Sequence, residues 1–517
     1  MGKSRLLFLI SSFVAGFCLM TVELAASRIV APYIGSSIYT WTSVIGVILL
    51  GLSVGYYSGG YLSDKFPDKN IVFWEYIFSS VGVIAIPFIS PLSETFARAS
   101  LPLPLTIFLV SLSLFFIPSV FLGALSPSIL KRCVNSLGQV ARNAGTLSAL
   151  WSVGSIAGTF LTGFVFIGYI GSKETFLAVG AVIAFNSIFF SGSRKQLFSA
   201  LAILSVSILL LFFLPKAAAS DSGNIIFSKD SDYYRIKVAD GSYQGAGDSR
   251  ILFLDFDSHS VESRSGKFLG NYPDMYPLFS VFNKNIRNIF VIGGGSYSLP
   301  KYLSSYYPDS SVTVAELDPE VKKTAENYFG LDKYNIATVI SDGRMALNKD
   351  QNKYDLIFED AFNSFISLPW HLTTEEFSQI AKSHLKNGGI YAVNFISATD
   401  GQNADFFRSM LKTFKSVFPN SYVFSTGDLS YYPQSIALIG INSDSHESAG
   451  VLKLEASLLK NGAWLSAHLY DSNKFSDTGG IVLTDNFAPV ERLMIPIMNQ
   501  YFKPYSDFYY SFLGSKT

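Results

Sequence analysis

The chain has 517 residues, 49% of them hydrophobic, with 39 Lys and Arg balanced by 39 Asp and Glu. That length excludes one ordinary core and implies at least two domains. The zero net charge hides a split: 13 basic and 6 acidic residues lie up to Lys216, leaving 26 and 33 beyond it, so the two parts belong in different solvents.

Seven stretches of the first part carry no charge: 6–22, 29–63, 76–93, 99–130, 143–172, 175–193 and 196–215. A helix needs ~20 apolar residues to cross ~30 Å of hydrocarbon. Each stretch is read as one span, which predicts a seven-helix transmembrane domain over residues 1–216. The first stretch also has signal-peptide features, with Lys3 and Arg5 before it and Ala25-Ala26-Ser27 after it. Further spans follow at once, so it is read as a retained helix. Glu23 lies beside Arg28; an ionisable residue inside a span is costly and often functional, and a structural pair with Arg28 is the competing reading. Gly154, Gly158, Gly163 and Gly168 suggest close helix packing.

Short loops rich in Lys and Arg stay in the cytoplasm. Lys3, Arg5, Lys65, Lys69, Lys131, Arg132, Arg142, Arg194 and Lys195 fall on one side, and Arg28, Arg98, Lys173 and Lys216 on the other. This multi-pass membrane protein would have a cytoplasmic N-terminus and, after seven crossings, an exoplasmic C-terminal domain. Cys18 and Cys133 both precede the soluble part, which therefore has no disulfide framework and no zinc site. The five histidines (His259, His371, His384, His446, His468) have no metal-ligand spacing. No metal is expected.

Residues 217–265 read as a linker and a small antiparallel β unit, with strands near Tyr233–Ala239 and Ile251–Phe256. Residues 266–517 read as a Rossmann-like, doubly wound sheet. Strands are expected at Ile289–Ile292, Val312–Ala315, Ala337–Ile340, Leu356–Phe358 and Ile390–Phe395, with helices between them. Tyr422–Ser425 and Ile436–Ile441 suggest an edge hairpin. The aromatic tail from Tyr501 to Phe512 reads as a packing segment.

The chemistry concentrates at the predicted strand ends. Gly293-Gly294-Gly295 closes the first strand, where glycines permit a tight turn and close approach of a ligand. Glu316 closes the second, 23 residues after Gly293, where a carboxylate can accept both ribose hydroxyls. Ser341-Asp342-Gly343 closes the third; Asp342 can accept from an adenine amino group. Glu359-Asp360-Ala361 closes the fourth. Such an acidic crevice suits a cation or an amine, whereas a phosphate would call for Lys, Arg or helix N-termini. The net-negative domain shows no nucleic-acid signature.

The order of β unit, Gly-Gly-Gly, Glu316-Leu317-Asp318, Asp342-Gly343 and strand-end Asp360 resembles the spermidine synthase family of aminopropyltransferases. Leu254-Asp255 through Ser260 is similar to that family's Leu-Asp-Gly-x-x-Gln-Ser, with His259 at the glutamine. Tyr272-Pro273-Asp274-Met275 resembles its Tyr-x-Glu-Met. Asp360-Ala361-Phe362 through Pro369-Trp370-His371-Leu372-Thr373, together with Leu483-Thr484-Asp485, resembles a membrane-fused, synthase-like branch. The resemblance implies a methyltransferase-type fold and a donor held by Gly293, Gly294, Gly295, Glu316, Asp318, Asp342 and Gly343. It implies an amine substrate held by His259, Tyr272 and Asp274, and Asp360 as the catalytic base. The implied cofactor is decarboxylated S-adenosylmethionine or S-adenosylmethionine itself. The implied partners are the lipid bilayer, a small amine such as a polyamine, and a second copy in a homodimer. A cytosolic sulfonium donor would place the domain in the cytoplasm, against the loop charges. The family's Gly-Gly-Gly-Asp-Gly-Gly here reads Gly-Gly-Gly-Ser296-Tyr297-Ser298; the missing Asp normally faces the donor's amino end. Nucleoside recognition is therefore better supported than aminopropyl transfer. A methyltransferase and a non-enzymatic polyamine or nucleoside sensor or transporter are the alternatives.

Overall fold

The computed structural model describes residues 2–513 except 68–69, 100, 135–136, 214–223, 244–247, 267, 270–272, 363–367 and 445–446. The chain divides into two compact units: Met1–Asp221 with Ser228–Arg235, and Ser222–Phe227 with Ile236–Thr517.

The first unit is helical. Among the described residues, six helices are long and apolar enough to cross a membrane: Arg5–Ile34, Ile38–Lys65, Ile71–Ala97, Leu103–Cys133, Val140–Ile170 and Arg194–Phe213. The expected seven is corrected to six. The stretch 175–193 falls mostly in the helix Ser172–Ile188, which has only 17 residues, about 26 Å at the α-helical rise and short of a ~30 Å span. It is packed inside the unit, where the Leu177 and Gly180 carbonyls accept from Ser207 Oγ and Ser80 Oγ, both at 2.8 Å. The stretch 29–63 supplies one span, Ile38–Lys65, but is not one continuous helix. Gly35 takes a left-handed conformation (φ 75°) and ends the first helix. Ser37 then caps the second, its Oγ accepting from Thr40 N at 3.2 Å. Gly154 and Gly158 do permit close packing, since a Cβ there would lie 2.0 Å from Phe13 O and 2.4 Å from Phe17 O. Gly163 faces open space and has no such role. Arg28 does not pair with Glu23. Its guanidinium donates to the carbonyls of Tyr233 and, at 2.9 Å, Ser231.

After the helices the chain forms a four-stranded sheet in sequence order: β1 (Ile225–Asp230), β2 (Arg235–Ser242), β3 (Asp248–Leu254) and β4 (Asp257–Ser263). Both β2–β3 and β3–β4 are antiparallel. The C-terminal helix Val490–Leu513 packs its aromatic residues around Phe256, with ring centroids 5.2 Å away at Phe502, 5.3 Å at Tyr505 and 4.9 Å at Tyr509.

The main sheet has eight strands: β5 (Asn288–Ile292), β6 (Ser311–Glu316), β7 (Ile336–Ile340), β8 (Tyr354–Glu359), β9 (Leu385–Ser397), β10 (Ser421–Ser425), β11 (Gln434–Ile441) and β12 (Leu469–Asp471). Their order is β12-β10-β11-β9-β8-β5-β6-β7. From β9 to β7 all pairs are parallel. The central strands read as apolar runs because helices cover both faces; every residue of β8 is buried. The antiparallel β11 inserts between β9 and β10. The expected edge hairpin is thus interior, because β12 covers β10. The short β12 carries too little pattern to read from sequence. The first strand, β5, lies between β6 and β8, so the strand order reverses there. Ligands of open α/β sheets bind at the carboxyl ends of strands beside such a reversal.

Candidate functional site

Four neighbouring strands, β8, β5, β6 and β7, bring Asp360, Gly293, Glu316 and Asp342 to one edge of the sheet. Gly293 has φ 93°, and a Cβ on it would lie 2.5 Å from Asp360 O. Only glycine lets the β5 and β8 tips come this close. Asp360 N donates to Ile292 O at 2.9 Å and continues the ladder.

Glu316 is buried at the end of β6. Its Oε2 accepts from Gly294 N at 2.8 Å and its Oε1 from Asp318 N at 2.9 Å. The amides of Gly294, Gly295 and Asp318 thus face the carboxylate, which has about four lone-pair directions and can still accept from a hydroxyl. Burial pushes its carboxyl up to about 7, against the lowering effect of the Asp318 and Gly294 amides. Asp318 is itself engaged as a helix cap, accepting from Glu320 N at 2.9 Å. A Cβ on Gly343 would lie 2.2 Å from Ile292 Cγ2, so that glycine seats its helix against β5.

Asp342 caps the helix Gly343–Lys349, accepting from Met345 N at 3.0 Å. Its other oxygen meets His371 Nε2 at 2.8 Å. This contact holds the Asp342 carboxyl below its usual range. Arg344 links the same corner to Asp485, at 2.7 and 2.6 Å, and to the His371 carbonyl at 2.9 Å. The Trp370-His371-Leu372 turn is therefore pinned beside the β7 tip. Asp360 Oδ1 accepts from Asn394 Nδ2 on β9 at 3.0 Å. Asn394 Oδ1 is buried and has no hydrogen-bond partner, which leaves an acceptor beside Asp360.

The loop after Gly295 is pinned to the β unit. Glu262 of β4 is buried and accepts from Ser296 Oγ at 2.9 Å, Ser298 Oγ at 2.8 Å and Lys301 Nζ at 2.8 Å. Ser260 Oγ also accepts from Ser296 N at 3.2 Å. The serines that replace the usual Asp-Gly-Gly pattern thus anchor the loop. Tyr297 has φ 60° and is fully buried. Its ring lies under Gly294, and its hydroxyl is 3.3 Å from Thr338 Oγ1. Thr338 sits two residues inside the β7 tip, so the ring turns down into the sheet and does not cross the strand ends.

The remaining sequence-predicted residues lie on other elements. Asp274 is exposed in the turn Pro273–Leu278, close enough to Tyr302 to act on its hydroxyl. His259 is half-buried on β4. Tyr272 lies outside the described residues. Sequence reading missed Glu262, Lys301, Asn394 and the role of His371. Their partners are distant in sequence, 39 residues for Glu262–Lys301 and 34 for Asn394–Asp360, and no local pattern marks them. Among the described residues no cluster of His, Cys, Asp and Glu could hold a metal ion.

The chain is similar to known proteins over part of its length. Residues 275–449 match the family model of the Spermine/spermidine synthase domain. A probable polyamine aminopropyl transferase of Bifidobacterium longum is 24% identical over 295 residues, covering 54% of this chain and 64% of that protein. A polyamine aminopropyltransferase of Vibrio vulnificus is 33% identical over 151 residues, covering 28% of this chain and 48% of that protein. Polyamine aminopropyltransferase 2 of Aquifex aeolicus is 21% identical over 418 residues, covering 78% of this chain and 81% of that protein. The first two alignments thus span less than two thirds of each relative. Residues 275–449 thus correspond to a spermine/spermidine synthase domain, and the six apolar helices found among the described residues precede it in the sequence.

Proposed function

We propose that this protein is a membrane-embedded transferase that moves an aminopropyl group from decarboxylated S-adenosylmethionine to a small amine such as a polyamine. One observation carries the reading: three acidic residues of neighbouring strand tips stand at a strand-order reversal, with Glu316 fixed by the glycine loop. In this reading Glu316 takes the ribose hydroxyls and Asp342 the adenine amino group. Asp360, oriented by Asn394, meets the amine. The amine nitrogen forms a bond to the carbon next to the sulfonium. The carbon–sulfur bond breaks, and its electron pair leaves on a neutral thioether. Asp360 takes the proton that the nitrogen loses. His259, Tyr272 and Asp274 belong to the amine side in the same reading.

The test is turnover with decarboxylated S-adenosylmethionine and a panel of polyamines, with S-adenosylmethionine as the competing donor. Formation of an aminopropylated amine supports the proposal. Methyl transfer from S-adenosylmethionine would replace it with the methyltransferase reading. Polyamine binding without consumption of either donor would replace it with a sensor. Reporter fusions at the C-terminus read the side of the membrane: a cytoplasmic domain reaches the donor directly, an exoplasmic one requires an exported donor.

A further inference from the structure

The helical unit contains a carboxyl group that the transferase reading leaves without a role. Glu75 lies on the helix Ile71–Ile89, within the apolar segment Ile71–Ala97, and is 5% exposed. Its Oε1 accepts from Ser128 Oγ at 2.7 Å, from the helix Leu103–Cys133. Ser128 Oγ is in turn 2.8 Å from Ser63 Oγ on the helix Ile38–Lys65. Three helices therefore meet through one line of hydroxyls ending on a carboxyl. Its Oε2 is buried and has no hydrogen-bond partner. No ion pair within 4.0 Å joins Glu75 to any described residue. Lys131, near Ser128, is instead paired with Asp64 at 2.5 Å. Arg132 and Tyr76 are the ionisable groups close enough to act on it electrostatically.

A bare carboxylate with one neutral hydrogen bond is expensive in such surroundings. A divalent metal would need several more oxygen ligands than this site offers. We propose that Glu75 is a proton-binding site of the helical unit, loaded through the hydroxyls of Ser63 and Ser128. A hydronium ion at the exposed Asp64–Lys65 end of the helix gives a proton to Ser63 Oγ, whose residue is 8% exposed. Ser63 passes its own proton to Ser128, and Ser128 passes its own to Glu75 Oε1. Each hydroxyl breaks one O–H bond and forms another, and Glu75 ends as the neutral acid. Such a group can couple proton movement to rearrangement of the three helices it joins.

The test is infrared difference spectroscopy of the full-length protein in lipid across a pH series, with and without sodium. A carboxylic acid band should rise as pH falls, vanish in Glu75→Gln and ignore sodium. Ser128→Ala, which keeps the acid but removes its hydrogen bond, should move that band. This second variant serves if Glu75→Gln does not fold. A band set that is the same in wild type, Glu75→Gln and Ser128→Ala at every pH would overturn the proposal. A band suppressed by sodium would overturn it in favour of a metal-cation site.

Discussion

Protonating Glu316 should remove the ribose acceptor from the candidate site, and the structure sets the pH at which this happens. Its carboxyl is pushed up to about 7 by burial. In the proposed reading the ionised form accepts from the ribose, and protonation turns one oxygen into a donor. If only the ionised form binds, the apparent Kd scales as the inverse of its population. That population is about 90% at pH 8 and about 1% at pH 5, so binding should weaken by about 90-fold between them, roughly tenfold per unit below pH 7. The assay is calorimetric titration of the full-length protein with adenosine, which carries no charge over this range. Glu316→Gln should bind weakly at every pH and lose the slope. A flat wild-type profile, or the same slope in Glu316→Gln, would refute the assignment of Glu316 to the sugar.

Further outcomes are expected from the same geometry. Asp360→Asn should lower kcat by about 100-fold or more, as loss of a general base does, while adenosine titration stays near wild type; equal loss of both would remove Asp360 from the chemistry. Lys301→Met should destabilise the second unit by about 3–5 kcal/mol, because Glu262 would be left charged in a dry site. The double variant with Glu262→Gln should recover part of the loss in a thermal melt. Gly343→Ala forces a methyl group onto Ile292 Cγ2 and should cost about 1–3 kcal/mol, partly relieved by Ile292→Ala. Burial pushes Glu359 up to about 8, so the folded state holds a proton that the unfolded state releases near its ordinary value. The stability it contributes is full below about pH 4.3 and falls by about 1.4 kcal/mol per unit as pH rises to about 8. Glu359→Gln should flatten that part of the stability profile.

Much of the fold was legible in the chain because the signals are local. Charge-free runs mark the helical unit, and short apolar runs ending in glycine or an acid mark β5, β6, β7 and β8. The misreadings came where a boundary depends on one residue's conformation or on a neighbour. Gly35 and Ser37 divide a stretch that hydropathy alone joins. The helix Ser172–Ile188 is apolar like its neighbours but shorter than a span. The strand β12 is recognisable only because β10 pairs with it.

At the site, residue identities at the strand ends sufficed to nominate Gly293, Glu316, Asp342 and Asp360, since a parallel sheet places successive strand ends on one edge. What each group does once there was decided by tertiary contacts. Tyr297 stands where the family has glycine, and its ring is drawn under Gly294 toward Thr338. The usual loop Asp is absent, and Ser296 and Ser298 instead donate to Glu262, which Lys301 also reaches. Sequence by itself determined the two-part architecture and the acidic strand ends, because periodicity and strand-end chemistry are properties of short segments. Only the tertiary structure decided which carboxylates are buried, capped or paired, because desolvation and hydrogen bonding depend on groups brought from distant parts of the chain.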